Sequence, residues 1–365
     1  MAAPEILTNS LAQSACIAAP PPLPRAVARG SDPAIVIPPV ARRRRTTRTR
    51  PELHPGLRAG AWKVDRELGK GGMASVYAVV HTRFGKRAAL KLAHASILGP
   101  QFTPETFLRE ARIANLVDHP AVPDVFATGT YDRRPYLVME RLHGETLGAR
   151  LDRGSLERTD GIEILLELCD VLGAAHAAHV VHRDLKLDNV FLLDPDRSGG
   201  LRLQLLDWGV AAILGEPDPL AGMVAGTLTY VAPEQVRGEP LTPAADVYSL
   251  AVLAYQLLLG EPPFTSPEDL ELIRKHLHDA PPAPSMLWPE IPADLELLLL
   301  GMLAKRPEDR PTLADAVQVL ARLRSELAPR RAHHRTFAIP FTVPARLLGA
   351  ALAIAAGALS VAAAW

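Results

Sequence analysis

The hydrophobic period changes once along this chain, and that change limits the folds open to it. Between Trp62 and Met139 apolar residues fall in short extended runs. The runs 64–68 and 76–80 flank a glycine-rich turn, 87–92 supplies a third and 136–139 a fourth. Runs of that length bounded by turn residues predict an antiparallel sheet. One helix interrupts them at 103–116, with Pro104 admissible in its first turn and Phe107, Leu108, Ala111 and Ala114 as its apolar positions. From Thr159 the spacing becomes three and four. Ile162, Leu165, Leu166, Cys169, Leu172 and Ala175 predict a long amphipathic helix capped by Thr159 or Asp160. Further helices are predicted at 243–259, 267–278, 293–304 and 312–327. A strand-rich front and a helix-rich back predict an α+β chain in two lobes.

The flanks differ from this centre. Residues 1–61 are rich in Pro, Ala and Arg without sustained periodicity, which predicts a disordered tail. Its run Arg42-Arg43-Arg44-Arg45 reads as a solvated basic stretch, the alternative being contact with anionic lipid or nucleic acid. Over the whole chain 40 Lys and Arg balance 40 Asp and Glu, so no specific nucleic acid partner is expected. Cys16 and Cys169, far apart and outside any CxxC, support neither a disulfide framework nor a metal site. The start, with Glu5 and no basic residue before Arg25, does not read as a secretory signal. Residues 327–346 read as a basic juxtamembrane linker, and 347–365 contain neither charge nor proline. A helix of that length spans roughly 28 Å, near the thickness of a bilayer's hydrocarbon core. Arg330, Arg331, Arg335 and Arg346 precede it and Trp365 ends it, so the expectation is a single-pass transmembrane tail anchor with the bulk of the chain cytoplasmic. The alternative is a terminal helix packed on the protein. Gly349, Ala353 and Gly357 form a small-residue stripe compatible with helix pairing, and so with a homodimer.

Chemistry concentrates in the centre. In the loop Gly69-Lys70-Gly71-Gly72-Met73-Ala74, which runs on to Val76, glycines between strands let the backbone approach phosphate oxygens. Glycine-rich hairpins are common, so the spacing after this one matters more. Lys91 ends the apolar run Ala88-Ala89-Leu90, where an ammonium suits a nucleotide phosphate unless an edge strand turns it to water. Glu110, on the following helix, can swing toward Lys91 and fix it. In 180–190, Asp184, Lys186 and Asn189 lie within one loop between apolar flanks. They offer what phosphoryl transfer requires: a carboxylate near the attacking hydroxyl, a cation near the γ-phosphate and an oxygen ligand for Mg²⁺. Asp207-Trp208-Gly209 follows the apolar-rich 203–206, and Asp207 can hold a metal that bridges phosphates.

In this order the motifs resemble the eukaryotic-like protein kinase family, and within it the bacterial serine/threonine branch. The resemblance spans about residues 62–326 and includes Ala232-Pro233-Glu234, Asp246-Val247-Tyr248-Ser249 and Arg306-Pro307-Glu308-Asp309-Arg310-Pro311. It implies a bilobal fold, with a small antiparallel-sheet N-lobe carrying one helix and a larger helical C-lobe. It further implies ATP and Mg²⁺ as cofactors, protein substrates, and a bacterial inner membrane as the site of the anchor. Asp184 is then the catalytic base, acting with Lys186, Lys91 and Glu110. The nucleotide site comprises Gly69, Lys70, Gly71, Gly72, Met73, Ala74, Val76, Ala89 and Lys91, with Met139 as gatekeeper and Glu140 and Leu142 in the hinge. Asn189 and Asp207 hold the metal, Glu234 pairs with Arg310, and Lys186 and Thr227 match the serine/threonine pattern.

Two departures carry a rival reading, a catalytically dead scaffold at the membrane: Ala74 replaces the third glycine, and Trp208 stands where phenylalanine is usual. Neither removes a charged participant. A kinase for small molecules is a second rival, which the 232–234 motif and Thr227 suit less well. From Val210 to Gly226 there is no Ser, Thr or Tyr. In the family, the residue matching Arg183 commonly clamps a phosphate on this segment. Here Glu216 or Asp218 is expected to stand in, the alternative being an unpaired Arg183.

Overall fold

The computed structural model describes residues 53–99, 102–195, 202–220 and 226–327. The expected membrane segment, its arginine-rich approach and most of the N-terminal tail lie outside the described residues. No helix among the described residues is long and apolar enough to cross a membrane.

Ordered structure includes residues that the sequence assigns to the tail. Strand β1 (Arg58–Ala59) pairs with β2 (Trp62–Lys70), and Leu53 and Ala59 are buried with Trp62 and Val64. Residues 53–61, expected to belong to a disordered tail, are therefore packed against the sheet. Two isolated apolar residues among Pro, Gly and Arg leave no periodic signal, yet each fills a gap at the sheet.

The N-lobe continues with β3 (Ala74–His81), β4 (Arg87–Ala93), α1 (Pro104–Val117), β5 (Val125–Tyr131) and β6 (Arg134–Met139). The sheet order is β1-β2-β3-β4-β6-β5, antiparallel throughout. Alternation sorts its residues. Tyr77, Val79, Ala88, Leu90, Leu92, Tyr136 and Val138 enter one apolar cluster. Val76, Ala89, Lys91, Leu137 and Met139 share the opposite face, because Val76 opposes Lys91, Ala89 opposes Met139 and Lys91 opposes Leu137. Helix α1 covers part of this second face, packing Phe107 and Ala111 against Ala74, Ala93 and Leu137. The Thr103 hydroxyl caps it, accepting the Thr106 N–H at 3.3 Å. Strand β5 was not legible, since Gly129 breaks its pattern. A Cβ there would lie 2.4 Å from the Tyr136 ring.

Two short elements, β7 (Gly144–Thr146) and α2 (Leu147–Asp152), lead into the C-lobe. Its long helix α3 spans Arg158–Ala177 with Glu157 as N-cap and no side-chain cap bond. The expected caps Thr159 and Asp160 sit inside the first turn, where the Asp160 carboxylate favours the helix dipole without capping it. Then follow β8 (Val180–Val181), β9 (Val190–Leu193), β10 (Leu203–Leu205) and β11 (Ala212–Ile213). Helices α4 (Pro233–Arg237), α5 (Ala244–Leu259), α6 (Asp269–His278), α7 (Ala293–Met302) and α8 (Leu313–Leu327) complete the chain's described part. The core joins α3, α5, α7 and α8 through Leu168, Leu172, Leu250, Leu253, Leu299 and Leu320, all buried. Strand β9 pairs with β7 and β10, and β8 with β11. These short pairings hold the loop 182–189 and the segment that follows Asp207 side by side over the helices.

Candidate active site

Lys91 lies on an interior strand, not an edge, and its side chain emerges beneath α1. Its Nζ is 2.8 Å from both Glu110 carboxylate oxygens and 2.8 Å from Asp207 Oδ1. Burial alone would push the Lys91 ammonium down, but Asp207 and Glu110 outweigh it and hold its pKa above the ordinary value. Lys91 in turn holds Asp207 below the usual carboxylate range despite its burial, with smaller help from Lys186 and His182. Burial raises Glu110, and Lys91 opposes that rise. Gly209 permits the close approach, since a Cβ there would lie 3.3 Å from Asp207 Oδ1 and from Glu110 Oε2.

The second cluster surrounds Asp184. Its Oδ1 accepts from the Thr227 N–H at 2.9 Å and from the Thr227 hydroxyl at 3.1 Å. Its Oδ2 accepts from Lys186 Nζ at 2.7 Å and from Asn189 Nδ2 at 3.1 Å. Lys186 also donates to the Thr227 hydroxyl at 3.0 Å, and Asn189 Nδ2 to the Asp184 main-chain oxygen at 2.7 Å. Thr227 reaches this position because Gly226 adopts φ +103° directly over the loop, where a Cβ would stand 2.8 Å from the Arg183 carbonyl.

Strained backbone at this loop is fixed from below. Arg183 and Asp207 both adopt positive φ, 68° and 62°, a conformation that costs a side-chain-bearing residue free energy. The fully buried carboxylate of Asp246, on α5, accepts the main-chain N–H groups of His182 and Arg183, each at 2.9 Å, and His176 Nε2 at 2.8 Å. Burial would raise Asp246, but His176 and His182 hold its pKa below the ordinary value, so it remains an acceptor. The His182 ring donates through Nε2 to the Leu206 carbonyl at 3.1 Å, tying this loop to the strand end before Asp207.

The geometry is that of a phosphotransferase centre, and the comparison with known proteins agrees. A family model described as protein kinase domain matches residues 62–320. The chain belongs to the protein kinase family. It is 39% identical over 261 residues to serine/threonine-protein kinase Pkn1 of Myxococcus xanthus, covering 70% of this chain and 37% of that relative. It is 34% identical over 275 residues to the probable serine/threonine-protein kinase SCO3848 of Streptomyces coelicolor, covering 73% of this chain and 40% of the relative. With serine/threonine-protein kinase PknA of Mycobacterium tuberculosis it shares 32% identity over 311 residues, 82% of this chain and 70% of the relative. The chain thus spans well under half the length of the first two.

As a kinase domain the site is well formed at its charged positions, and both departures are accommodated. Ala74 is buried with Ala93, Phe107 and Leu137, so its methyl joins an apolar cluster. Trp208 is buried, packs its ring edge-on to His182 at 4.6 Å between centroids and donates its indole N–H to the Leu205 carbonyl at 3.0 Å. The glycine-rich loop 69–74 turns through a Gly71 N–H bond to the Ala74 carbonyl at 2.9 Å. Val76, Ala89 and Met139 line the sheet face that Lys91 shares. At the expected hinge, the Glu140 N–H donates to the Asp124 carbonyl at 2.9 Å, so that donor is already committed.

Glu234 and Arg310 form the anticipated pair, at 2.6 and 2.8 Å with no exposure on either side chain. Arg183 is paired: Asp218, not Glu216, reaches it, at 2.5 Å. Glu216 instead takes Arg112 of α1 at 2.6 and 2.9 Å. The sequence reading missed three contributors: Asp246 as the anchor of the loop, Arg112 as a partner of Glu216, and His94, whose ring touches Gly72 and Ser75. Asp246 did leave a signal, as the lone acid within the very apolar run 244–259.

Proposed function

We propose that this protein transfers the γ-phosphoryl group of ATP, with Mg²⁺, to Ser or Thr hydroxyls of protein substrates. The observation that carries this reading is Lys91 Nζ bonded at once to Glu110 and Asp207, which unites strand, helix and metal-binding segment in the assembled arrangement phosphoryl transfer needs. Asn189 and Asp207 suit a hard cation. Asn189 directs its amide nitrogen to Asp184, leaving its carbonyl oxygen for a ligand, and Asp207 is held ionised. When held there by Asn189 and Asp207, Mg²⁺ would offset negative charge on the phosphates. Lys91 then meets the α- and β-phosphates, and the glycines of 69–74 admit them close to the backbone. Asp184 orients the acceptor hydroxyl and takes its proton, while Lys186, 2.7 Å from Asp184, supplies a cation for the transferred group. Lys186 and Thr227, which match the serine/threonine pattern, bond to each other and to Asp184, and the names of the relatives point to Ser and Thr acceptors.

The test is transfer of label from γ-labelled ATP by the purified full chain to itself or to myelin basic protein. Label that requires Mg²⁺ and disappears in Asp184→Asn is the expected result. Mg²⁺-dependent nucleotide binding without any Asp184-dependent label would favour the scaffold reading.

We also propose that 347–365 anchors the protein in a membrane, with the kinase domain on the cytoplasmic face. Its support is the uncharged, proline-free run and the arginines before it. Alkaline carbonate should leave the full chain in the membrane pellet and extract a chain lacking 347–365. Extraction of both would remove the proposal.

A further inference from the structure

We infer that Asp218 and Glu216 are positioning residues: together they hold α1 and the catalytic loop in their active arrangement, so that catalysis needs no phosphorylation of the segment between Asp207 and Glu234. The inference rests on the kinase reading above.

The two carboxylates sit two residues apart and reach in different directions. Asp218 Oδ2 is 2.5 Å from Nη2 of Arg183, the buried residue of positive φ that immediately precedes Asp184. Its other oxygen accepts the Leu220 N–H at 3.0 Å, which fixes the carboxylate's orientation. Glu216 receives the Arg112 guanidinium through both oxygens, and Arg109 Nη2 stands 3.9 Å away. Arg109 and Arg112 flank Glu110 on α1, so Glu216 grips the helix that presents the Lys91 partner. One short stretch therefore ties the catalytic loop to the N-lobe helix that carries Glu110.

The backbone of the stretch is prepared for this. Strand β11 pairs with β8, Leu214 N–H donates to the His179 carbonyl at 2.8 Å and Glu216 N–H to the Ile213 carbonyl at 3.2 Å. Pro217 and Pro219 alternate with the acids, and fixed φ at both lowers the entropy lost on ordering. The segment has no hydroxyl to phosphorylate between Val210 and Gly226, so carboxylates are the anions it can offer the arginines. Three guanidiniums face two carboxylates, and the buried Arg183 Nε makes no hydrogen bond among the described residues. The cluster thus retains a donor and an excess positive charge, and it should accept a small anion if a carboxylate is removed.

The two halves are unequal. The Arg183–Asp218 contact is largely buried, with side-chain exposures of 3% and 24%, whereas Arg112 and Glu216 are 57% and 36% exposed and screened by water. Asp218 should dominate. A cavity of about 370 Å³, lined by Arg183, Asp218, Leu220, Gln235 and Leu241, leaves room beside Arg183 for a formate or acetate ion.

The experiment uses the purified full chain in detergent. Wild type treated with a broad-specificity phosphatase, and verified as phosphate-free by mass spectrometry, should phosphorylate myelin basic protein from the first seconds without a lag. Asp218→Ala should lower kcat roughly tenfold or more, with KM for ATP within about twofold, while Glu216→Gln loses less. Asp218→Glu should recover most of kcat, and millimolar formate should raise kcat of Asp218→Ala but not of wild type. A purely structural role for Asp218 predicts neither form of rescue. A lag that autophosphorylation abolishes, or Asp218→Ala at wild-type kcat, would overturn the inference. Should wild type label no acceptor at all, the kinase reading fails first. Amide exchange then decides this one: protection of 104–117 and 212–220 must fall in Asp218→Ala, and unchanged protection refutes the contact's role.

Discussion

Changing Glu234 to glutamine is expected to destabilise the protein far more than any exposed charge would. Glu234 and Arg310 have no solvent exposure, and the guanidinium also donates to the Ala304 and Ala244 carbonyls, each at 2.8 Å. Its carbon centre lies 4.9 Å from the Tyr248 ring. Arg310 thus binds α4, the start of α5 and the approach to α8 at one point. Glutamine preserves shape but removes the counter-charge and turns an N–H₂ group toward a guanidinium N–H. Leaving a buried charge without its partner costs about 3–5 kcal/mol. In a domain of this size each kcal/mol moves Tm by roughly 2–4 °C, so the drop should be about 6–20 °C. Calorimetry of the full chain at neutral pH reads it. The companion variant, Glu234→Met with Arg310→Met, removes both charges and should regain most of the loss. A Glu234→Gln melting temperature within about 1 °C of wild type, well below that expectation, would refute the argument that this pair is desolvated.

Two further outcomes follow from side chains away from the reacting groups. His94 donates through Nδ1 to the Gly72 carbonyl at 3.2 Å and accepts the Ser75 hydroxyl at Nε2 at 3.0 Å, while its main-chain N–H donates to Met73. A trans peptide aims its C=O and N–H oppositely, so this latch turns the Met73 N–H away from the ring and toward any phosphate in the loop. His94→Ala should raise KM for ATP several-fold with kcat nearly unchanged in steady-state titrations, and an unaltered KM dismisses the latch. His276, buried beside Tyr248 on α6, is pushed down to about 4 by burial and by Lys305. An unfolded chain, with its histidine near 6.5, therefore binds more protons between those values, and stability falls as pH drops from 7 to 5 by about 2 kcal/mol from this group. Urea unfolding at the two pH values should show that loss in wild type and a smaller one in His276→Gln; equal losses would refute the assignment.

Much of this architecture was legible from local pattern. The short extended runs placed β3, β4 and β6, but only the strand register shows Lys91 on one face with Val76, Ala89 and Met139. The charged residues of 180–190 and Asp207 announced their chemistry by type and order. What stayed hidden depends on contacts between distant segments. Lys91 and Asp207 are 116 residues apart, and only the closed fold shows them in contact. The choice between Glu216 and Asp218 as the partner of Arg183 turned on where β11 pairs with β8, a pairing of two residues each that carries almost no sequence signal. Leu53 and Ala59 failed for a related reason, since a buried residue without buried neighbours in sequence looks like linker. The cap of α3 was misjudged because Thr159 and Asp160 suit a first turn as well as a cap.

The anchoring of the catalytic loop on Asp246 has a consequence for how the protein fails when heated. Asp246 belongs to α5, whose side chains are buried almost from end to end, so the loop's backbone is fastened to the part of the domain with the highest local stability. The glycine-rich loop 69–74 hangs from a hairpin with glycines exposed to solvent and should open at much lower cost. Warming should therefore weaken nucleotide affinity gradually, well below the main transition, whereas Asp184 keeps its setting until α5 itself melts. Loss of saturation and loss of catalytic competence would then be separate events on the temperature axis, belonging to different cooperative units of one chain.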